Sequence, residues 1–309
     1  MNKIKKNKIG SSETIREAFN FSKYIKNKPE HIKEIDIGFL EWFIGFVEGD
    51  GSFIVKKNKN NNNKYLTFYI NQKDPKLMYK IKKNLGFGNV IKYKQHNKIY
   101  YRYSVSDIDN IIRIIYLFNG NLILEKVQNR FKKWLDIYNE KYPKKISYKN
   151  FCPILNLNSY WLSGFIEAEG GFYVSLTKQK NLKLGYRLRL KFYITQKHAY
   201  YLLQKIVKII YFKQQNYKDP IKTNLFNPDR YISKYSFNID KLEISTNSLI
   251  LVIINYLTEY PLQSQKKIIF LRWKRIYLNR NLLKNLSIKS KKSLKRFQRL
   301  VSSVNKKKN

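Results

Sequence analysis

An α+β architecture of two tandem α-β-β-α-β-β-α units is predicted by three sequence blocks that each occur twice, in the same order, along 309 residues. The first is Trp42-Phe43-Ile44-Gly45-Phe46-Val47-Glu48-Gly49-Asp50-Gly51-Ser52-Phe53, which returns 119 residues later as Trp161-Leu162-Ser163-Gly164-Phe165-Ile166-Glu167-Ala168-Glu169-Gly170-Gly171-Phe172. The second is Leu66-Thr67-Phe68-Tyr69-Ile70-Asn71-Gln72-Lys73 against Leu190-Lys191-Phe192-Tyr193-Ile194-Thr195-Gln196-Lys197, now 124 residues apart. The third matches Phe131 and Trp134 to Phe270 and Trp273, at an offset of 139. Three matches in one order mean an internal duplication. The offset grows by five between the first two blocks, as a lengthened hairpin loop would make it.

Each unit opens on an apolar helical run, Phe39 to Val47 or Trp161 to Ile166. Gly45 and Gly164 lie inside these runs, where glycine lowers helix stability unless another backbone must come close; the two are expected at a helix-on-helix contact. Alternation then signals strands, with Phe53 and Val55, or Phe172, Val174 and Leu176, on the core side. The pattern is cleanest over residues 186–194, where Tyr186, Leu188, Leu190, Phe192 and Ile194 alternate with Arg187, Arg189, Lys191 and Tyr193, so that one strand face is basic and aromatic. Further helices are expected at about 75–85, 107–118, 122–139, 198–210, 246–257 and 262–278, with strands near 90–94, 99–106 and 232–245. Short hairpin-linked strands predict antiparallel sheets with helices on one side. The chain divides into a basic N-terminal arm over 1–36, a first half over 37–139, a linker over 140–158 containing Pro143 and Pro153, a second half over 159–278, and a basic tail over 279–309.

Lys plus Arg number 62 against 21 Asp plus Glu, a formal net charge of +41, which calls for a polyanionic partner. The 25 Tyr and 19 Phe supply stacking surface and favour nucleic acid over an anionic membrane. No apolar run approaches the roughly 20 residues that cross a bilayer, and Met1 to Gly10 lacks a signal-peptide core, so a soluble protein is expected. The single Cys152, read as a buried inert thiol, excludes an internal disulfide and a thiolate zinc site, and three histidines argue against a His-rich one. A bias to Lys, Asn, Ile and Tyr suggests an A+T-rich gene and hence an organellar, mitochondrial setting. In so cationic a chain, two acids one residue apart, repeated at the end of each apolar helix, read as two halves of one site that carries a carboxylate from each half to a phosphate-rich target.

The nonapeptides Phe43 to Gly51 and Leu162 to Gly170 resemble the LAGLIDADG motif of homing endonucleases, in the single-chain form with two motifs. The similarity covers roughly residues 37–278. It implies motif helices packed at a pseudo-twofold interface through Gly45 and Gly164, above a DNA-binding saddle made by the two sheets. It implies a site-specific, Mg²⁺-dependent (or other divalent-cation-dependent) endonuclease that hydrolyses both strands of a long, non-palindromic target in double-stranded DNA, acts as a monomer, and is encoded by a mobile intron. Asp50 and Glu169 would be the catalytic metal ligands, helped by backbone carbonyls of Gly49 and Ala168, while Glu48 and Glu167 bond backbone groups at the partner helix or strand. Gln72 and Gln196 would organise solvent beside the scissile phosphates, and Lys126 and Lys266 would complete the two centres. Bulky Phe43 and Ile44 against Leu162 and Ser163 make the seam asymmetric, and Glu169 in place of aspartate adds a methylene.

DNA contacts are expected from outward strand positions: Ser52, Ile54, Lys56, Tyr65, Thr67, Tyr69, Asn71, Tyr100, Arg102 and Ser104 in the first half. In the second half they are Tyr173, Ser175, Thr177, Arg187, Arg189, Lys191, Tyr193 and Thr195. Two other readings remain from sequence alone: an RNA maturase that assists its own intron, binding intron RNA with or without nuclease activity, and a cleavage-dead DNA-binding protein. Retention of both acids argues against the last.

Overall fold

The computed structural model describes residues 19–57, 64–180, 186–215, 226–280 and 291–305. After a short helix α1 (Ser22–Lys26), the first unit runs α2 (Ile37–Asp50), β1 (Gly51–Lys57), β2 (Lys64–Gln72), α3 (Pro75–Leu85), β3 (Asn89–Gln95), β4 (Lys98–Val105), α4 (Ile108–Phe118) and α5 (Glu125–Lys141). The second repeats it as α6 (Trp161–Glu169), β5 (Gly170–Lys178), β6 (Tyr186–Lys197), α7 (Tyr200–Gln215), β7 (Ile232–Ser236), β8 (Ile239–Ile244), α8 (Asn247–Glu259) and α9 (Lys266–Leu278), followed by α10 (Lys291–Asn305). The sheets share one antiparallel order, β1-β2-β4-β3 and β5-β6-β8-β7, as the duplication requires.

Local chemistry explains the boundaries. Asp36, Asp74 and Asp107 each accept a backbone N–H of the helix that follows, Pro75 occupies the first turn of α3, and Gly86 ends α3 in the left-handed region at φ 79°. His96 and Asn97, at φ 46° and 58°, make the two-residue turn between β3 and β4, whose positive dihedrals match strand twist. The ladder between β5 and β6 has nine pairs where that between β1 and β2 has seven. Four of the five residues added in the second half therefore lengthen the ribbon; the loops themselves lie partly outside the described residues.

The two units meet along α2 and α6. A Cβ placed on Gly45 would lie 2.0 Å from the Trp161 carbonyl oxygen, and one on Gly164 would lie 1.9 Å from that of Trp42. The contact is reciprocal and made of backbone, so no side chain fits. Trp42 stacks on Phe46 and Trp161 on Phe165 along the flanks, with ring centroids 4.9 and 5.1 Å apart. Phe43 turns away from the seam into its own unit, against Phe39, Phe68 and Phe118. In each sheet the core is closed by matched aromatics, Phe53 with Phe131 and Trp134, and Phe172 with Phe270 and Trp273.

Both expected arms carry packed structure. Phe21 and Tyr24 are buried, and Asn121 bonds both the N–H and the carbonyl of Asn20 at 2.8 and 2.9 Å, so residues 19–36 belong to the first unit rather than to a free arm. In the tail, Phe297, Leu300, Val301 and Val304 recur at helical spacing and dock α10 on β5 and α9. The Asn305 side-chain amide then pairs with both backbone groups of Val174, at 3.0 and 2.6 Å, and covers the edge of β5. Residues 1–18, 281–290 and 306–309, including Lys306 to Lys308, lie outside the described residues. The linker is pinned by Asn119, which bonds Ser147 and Lys149, and by Asn139, which bonds Ile146 in both directions. Cys152, expected to be buried, is exposed there. Among the described residues no helix is long and apolar enough to cross a membrane.

Replacing Gly164 by alanine forces α2 and α6 apart. We expect a loss of about 3 kcal/mol, a fall in melting temperature of roughly 10 °C; an unchanged melting temperature would contradict the backbone contact.

Candidate active site and nucleic-acid interface

Both crossed helices end on their acidic pair, and the two acids of each pair do different jobs. Glu48 is fully buried: one carboxylate oxygen accepts the backbone N–H groups of Ile123 and Leu124 at 2.7 and 2.5 Å, and the other accepts the indole N–H of Trp161 at 2.5 Å. Glu167 accepts from the backbone of Gln263 and Ser264 at 2.5 and 3.2 Å and from the Ser264 hydroxyl at 2.5 Å. These acids therefore hold the segment entering the last helix of their own unit, α5 or α9. Only Glu48 also reaches the partner helix. The Ser264 hydroxyl takes the place at Glu167 that an indole fills at Glu48, which leaves the matched Trp42 N–H buried without a partner.

Asp50 and Glu169, the last residues of α2 and α6, come together. A Cβ on Gly49 would lie 2.4 Å from the Ala168 Cβ and 3.3 Å from a Glu169 carboxylate oxygen, so the helix ends and the acids share one spot. Each carboxylate takes one hydrogen bond from the glutamine that ends its neighbouring strand: Gln72 Nε2 to Asp50 at 2.6 Å, Gln196 Nε2 to Glu169 at 2.8 Å. Burial raises Asp50 to about 6, against the pull of Lys266 and Gln72. Glu169 rises to about 7 through burial and then through the charge of Asp50, against Lys126 and Gln196. Two desolvated like charges are expensive together, which holds both groups above the usual carboxylate range.

The two lysines differ. Lys126, in the first turn of α5, crosses the unit boundary and donates to the Gln196 side-chain oxygen and the Lys197 carbonyl, both at 2.7 Å. Burial lowers it to about 8, against the attraction of Glu169. Lys266 donates to the carbonyls of Ile166, Glu167 and Gly170 at 3.1, 2.6 and 2.7 Å, so it caps its own motif helix while its charge faces Asp50. Burial lowers it too. Among the described residues no group of three or more His, Cys, Asp or Glu is placed to hold a metal ion.

The strand registers put the expected contact residues on one face of each sheet. Ser52, Ile54 and Lys56 stand opposite Tyr69, Thr67 and Tyr65, while Ser104 and Arg102 stand opposite Tyr69 and Asn71. Tyr173, Ser175 and Thr177 stand opposite Lys191, Arg189 and Arg187. Thr67 is a correction: it sits in mid-ladder, 4% exposed, with its hydroxyl taking a bond from Ser106, and offers no surface to a ligand. The register adds residues that sequence reasoning missed. Asn89, Ile91 and Tyr93 share the face through pairing with Ser104, Arg102 and Tyr100, and Glu243 and Lys241 share the second face through pairing with Tyr193 and Thr195. The alternation of residues 89–95 was the available signal. Glu243 pairs with both Lys191 and Lys241, at 2.5 and 2.7 Å, so the two ammonium groups share one carboxylate.

Trp161→Phe removes the indole donor from a Glu48 oxygen and is expected to cost about 1–3 kcal/mol. Trp42→Phe removes an unpaired N–H and should cost less; equal losses in thermal melts would contradict the asymmetry. The raised carboxyls also fix a pH trend. The folded chain keeps protons on Asp50 and Glu169 that the unfolded chain releases near pH 4, so their contribution to stability is lost as pH rises from about 4 through 6 and 7. In EDTA, an Asp50→Asn, Glu169→Gln double variant should gain melting temperature over the parent between pH 5 and pH 7.5. A gap that stays constant would contradict it.

The chain matches the family model described as LAGLIDADG endonuclease over residues 43–138 and 162–277. It is 34% identical over 245 residues to the probable intron-encoded endonuclease 4 of Neurospora crassa, covering 77% of this chain and 40% of that protein. It is 28% identical over 282 residues to the uncharacterized cox1 intron-2 37.2 kDa protein of Schizosaccharomyces pombe, covering 87% and 75%. The chain thus spans well under half the length of the Neurospora relative. The fold is similar to that of the meganuclease I-SmaMI bound to uncleavable DNA, with a TM-score of 0.61 and 21% identity over 86% of this chain and 99% of that one. With the duplicated motif, the shared sheet order and the paired acids, this chain belongs to the LAGLIDADG endonuclease family.

Proposed function

We propose that this chain is a site-specific endonuclease that hydrolyses both strands of a long, non-palindromic DNA duplex with divalent cations. The observation that carries the reading is the meeting of Asp50 and Glu169 at the ends of the crossed helices, each bonded by a matched glutamine, between two basic and aromatic sheet faces. One chain supplies both carboxylates, which suits a monomer. The cox1-intron relative and the A+T-type composition support an organellar, mitochondrial intron as the source. The paired centre is surplus to a protein that only helps RNA fold, which favours the nuclease over the maturase.

The residues fit a magnesium ion. Burial holds two neighbouring carboxylates above the usual carboxylate range even with Lys266 and Lys126 close by, and Mg²⁺ binds a few carboxylates with phosphate and water completing its shell. Asp50 and Glu169 would hold it, with the Gly49 and Ala168 carbonyls at the adjoining helix ends. When bound, the ion supplies charge against the scissile phosphates and acidifies water. Gln72 and Gln196 orient the carboxylates. Lys126, still largely protonated at neutral pH, offers a positive charge beside Gln196 to stabilise charge that develops on phosphate. Lys266 satisfies three carbonyls and keeps the end of α6, and so Glu169, in position.

Either Asp50→Asn or Glu169→Gln should reduce double-strand cleavage of a selected target by at least about a thousandfold, a loss of roughly 4 kcal/mol of barrier lowering, while affinity for that duplex stays within a few-fold. Full cleavage by either variant would overturn the assignment.

A further inference from the structure

The two outward faces share a device beyond their basic composition. In the first sheet, Arg102 lies against two rings, its guanidinium carbon 4.6 Å from the centre of Tyr69 and 5.0 Å from that of Tyr93, and its Nε donates to the Asn71 side-chain oxygen at 2.8 Å. Tyr93 stacks in turn on Tyr100 at 5.8 Å. In the second sheet, the Lys241 ammonium sits 5.5 Å from the ring of Tyr193 and 5.8 Å from that of Tyr235, and bonds Glu243 at 2.7 Å. The positions correspond. Arg102 is paired with Asn71 and Lys241 with Thr195, each directly before the glutamine that bonds a catalytic acid. Tyr69 and Tyr193 are likewise matched in the duplicated strand.

Most cations on such a face reach phosphate and carry no sequence information. These two are held differently. Arg102 has its plane fixed by rings and by Asn71, and its terminal nitrogens make no hydrogen bond to described residues, which leaves the fork that matches the O6 and N7 acceptors of guanine. Lys241 stands beside Glu243, the one acid among the described outward strand residues, which also holds Lys191. The carboxylate takes one of the three ammonium donors of Lys241 and repels phosphate, which leaves the other donors for a base edge.

We propose that Arg102 and Lys241 are the matched base-reading residues of the two halves, each selecting guanine, in one strand or the other, at two positions equally distant from the centre of the target. The inference rests on the DNA-cleaving reading, and on the pseudo-symmetry for the equal spacing.

The test selects duplexes from a library randomised across the target length, in two arms: duplexes retained by the protein in EDTA, and duplexes cut in Mg²⁺. The parent, Arg102→Ala, Arg102→Lys and Lys241→Ala are compared, and the charge-retaining Arg102→Lys stands in if the alanine variant does not fold. The parent should prefer guanine about tenfold or more at two equidistant positions. Both Arg102 variants should flatten one of them and leave the other, and Lys241→Ala should do the reverse. Uniform weakening with an unchanged base profile, or affected positions at unequal distances from the centre, would overturn the proposal. Duplexes bound but never cut would sink the nuclease reading while the retained pool still judged the two clamps. A retained pool without guanine preference would sink the clamps even if cleavage were efficient.

Discussion

The backbone contact between the two motif helices is the constraint on which everything else depends. With Gly45 against the Trp161 carbonyl and Gly164 against that of Trp42, the helix axes approach until their C-terminal ends converge. The approach places Asp50 beside Glu169 and buries Glu48 and Glu167 where they anchor the segment entering the last helix of each unit. Packing, geometry and chemistry meet in a residue with no side chain. A methyl group at either glycine would disturb the paired acids through backbone alone.

Electrostatics then sets the character of that centre. The chain carries a net charge of +41, yet at the helix ends two carboxylates stand desolvated and close. Burial holds both above the usual carboxylate range, and Lys126 and Lys266 beside them sit below the usual lysine range. Under the proposed function, a divalent cation and a phosphate backbone would relieve that unfavourable charge together. The raised carboxyls cost stability as pH rises, and the buried Glu48 and Glu167 networks tie α5 and α9 to the helix pair.

Much of this was legible in the residues because duplication turns each weak signal into a matched pair. Gly45 with Gly164, Asp50 with Glu169 and Gln72 with Gln196 are each readable as matched positions, and the structure gives both members of each pair the same kind of contact, Gln72 bonding Asp50 as Gln196 bonds Glu169. What escaped depends on three-dimensional neighbours. Phe21 and Tyr24, or Val301 and Val304, are few among lysines and asparagines, and only packing reveals them as core. Thr67 alternates with core positions like its exposed neighbours, but its place in mid-ladder beside Ser106 buries it. Lys266 is one register step from equivalence with Lys126, and that step turns it from a glutamine partner into a helix cap. The role of Glu243 needs the pairing of β6 with β8, which joins residues far apart in sequence.

The most direct test of the central claim is anomalous scattering from manganese in crystals of the protein bound to a selected duplex. The account expects manganese held between the carboxyl groups of residues 50 and 169 and the DNA backbone. Manganese bound elsewhere, with both side chains turned into protein, would contradict it.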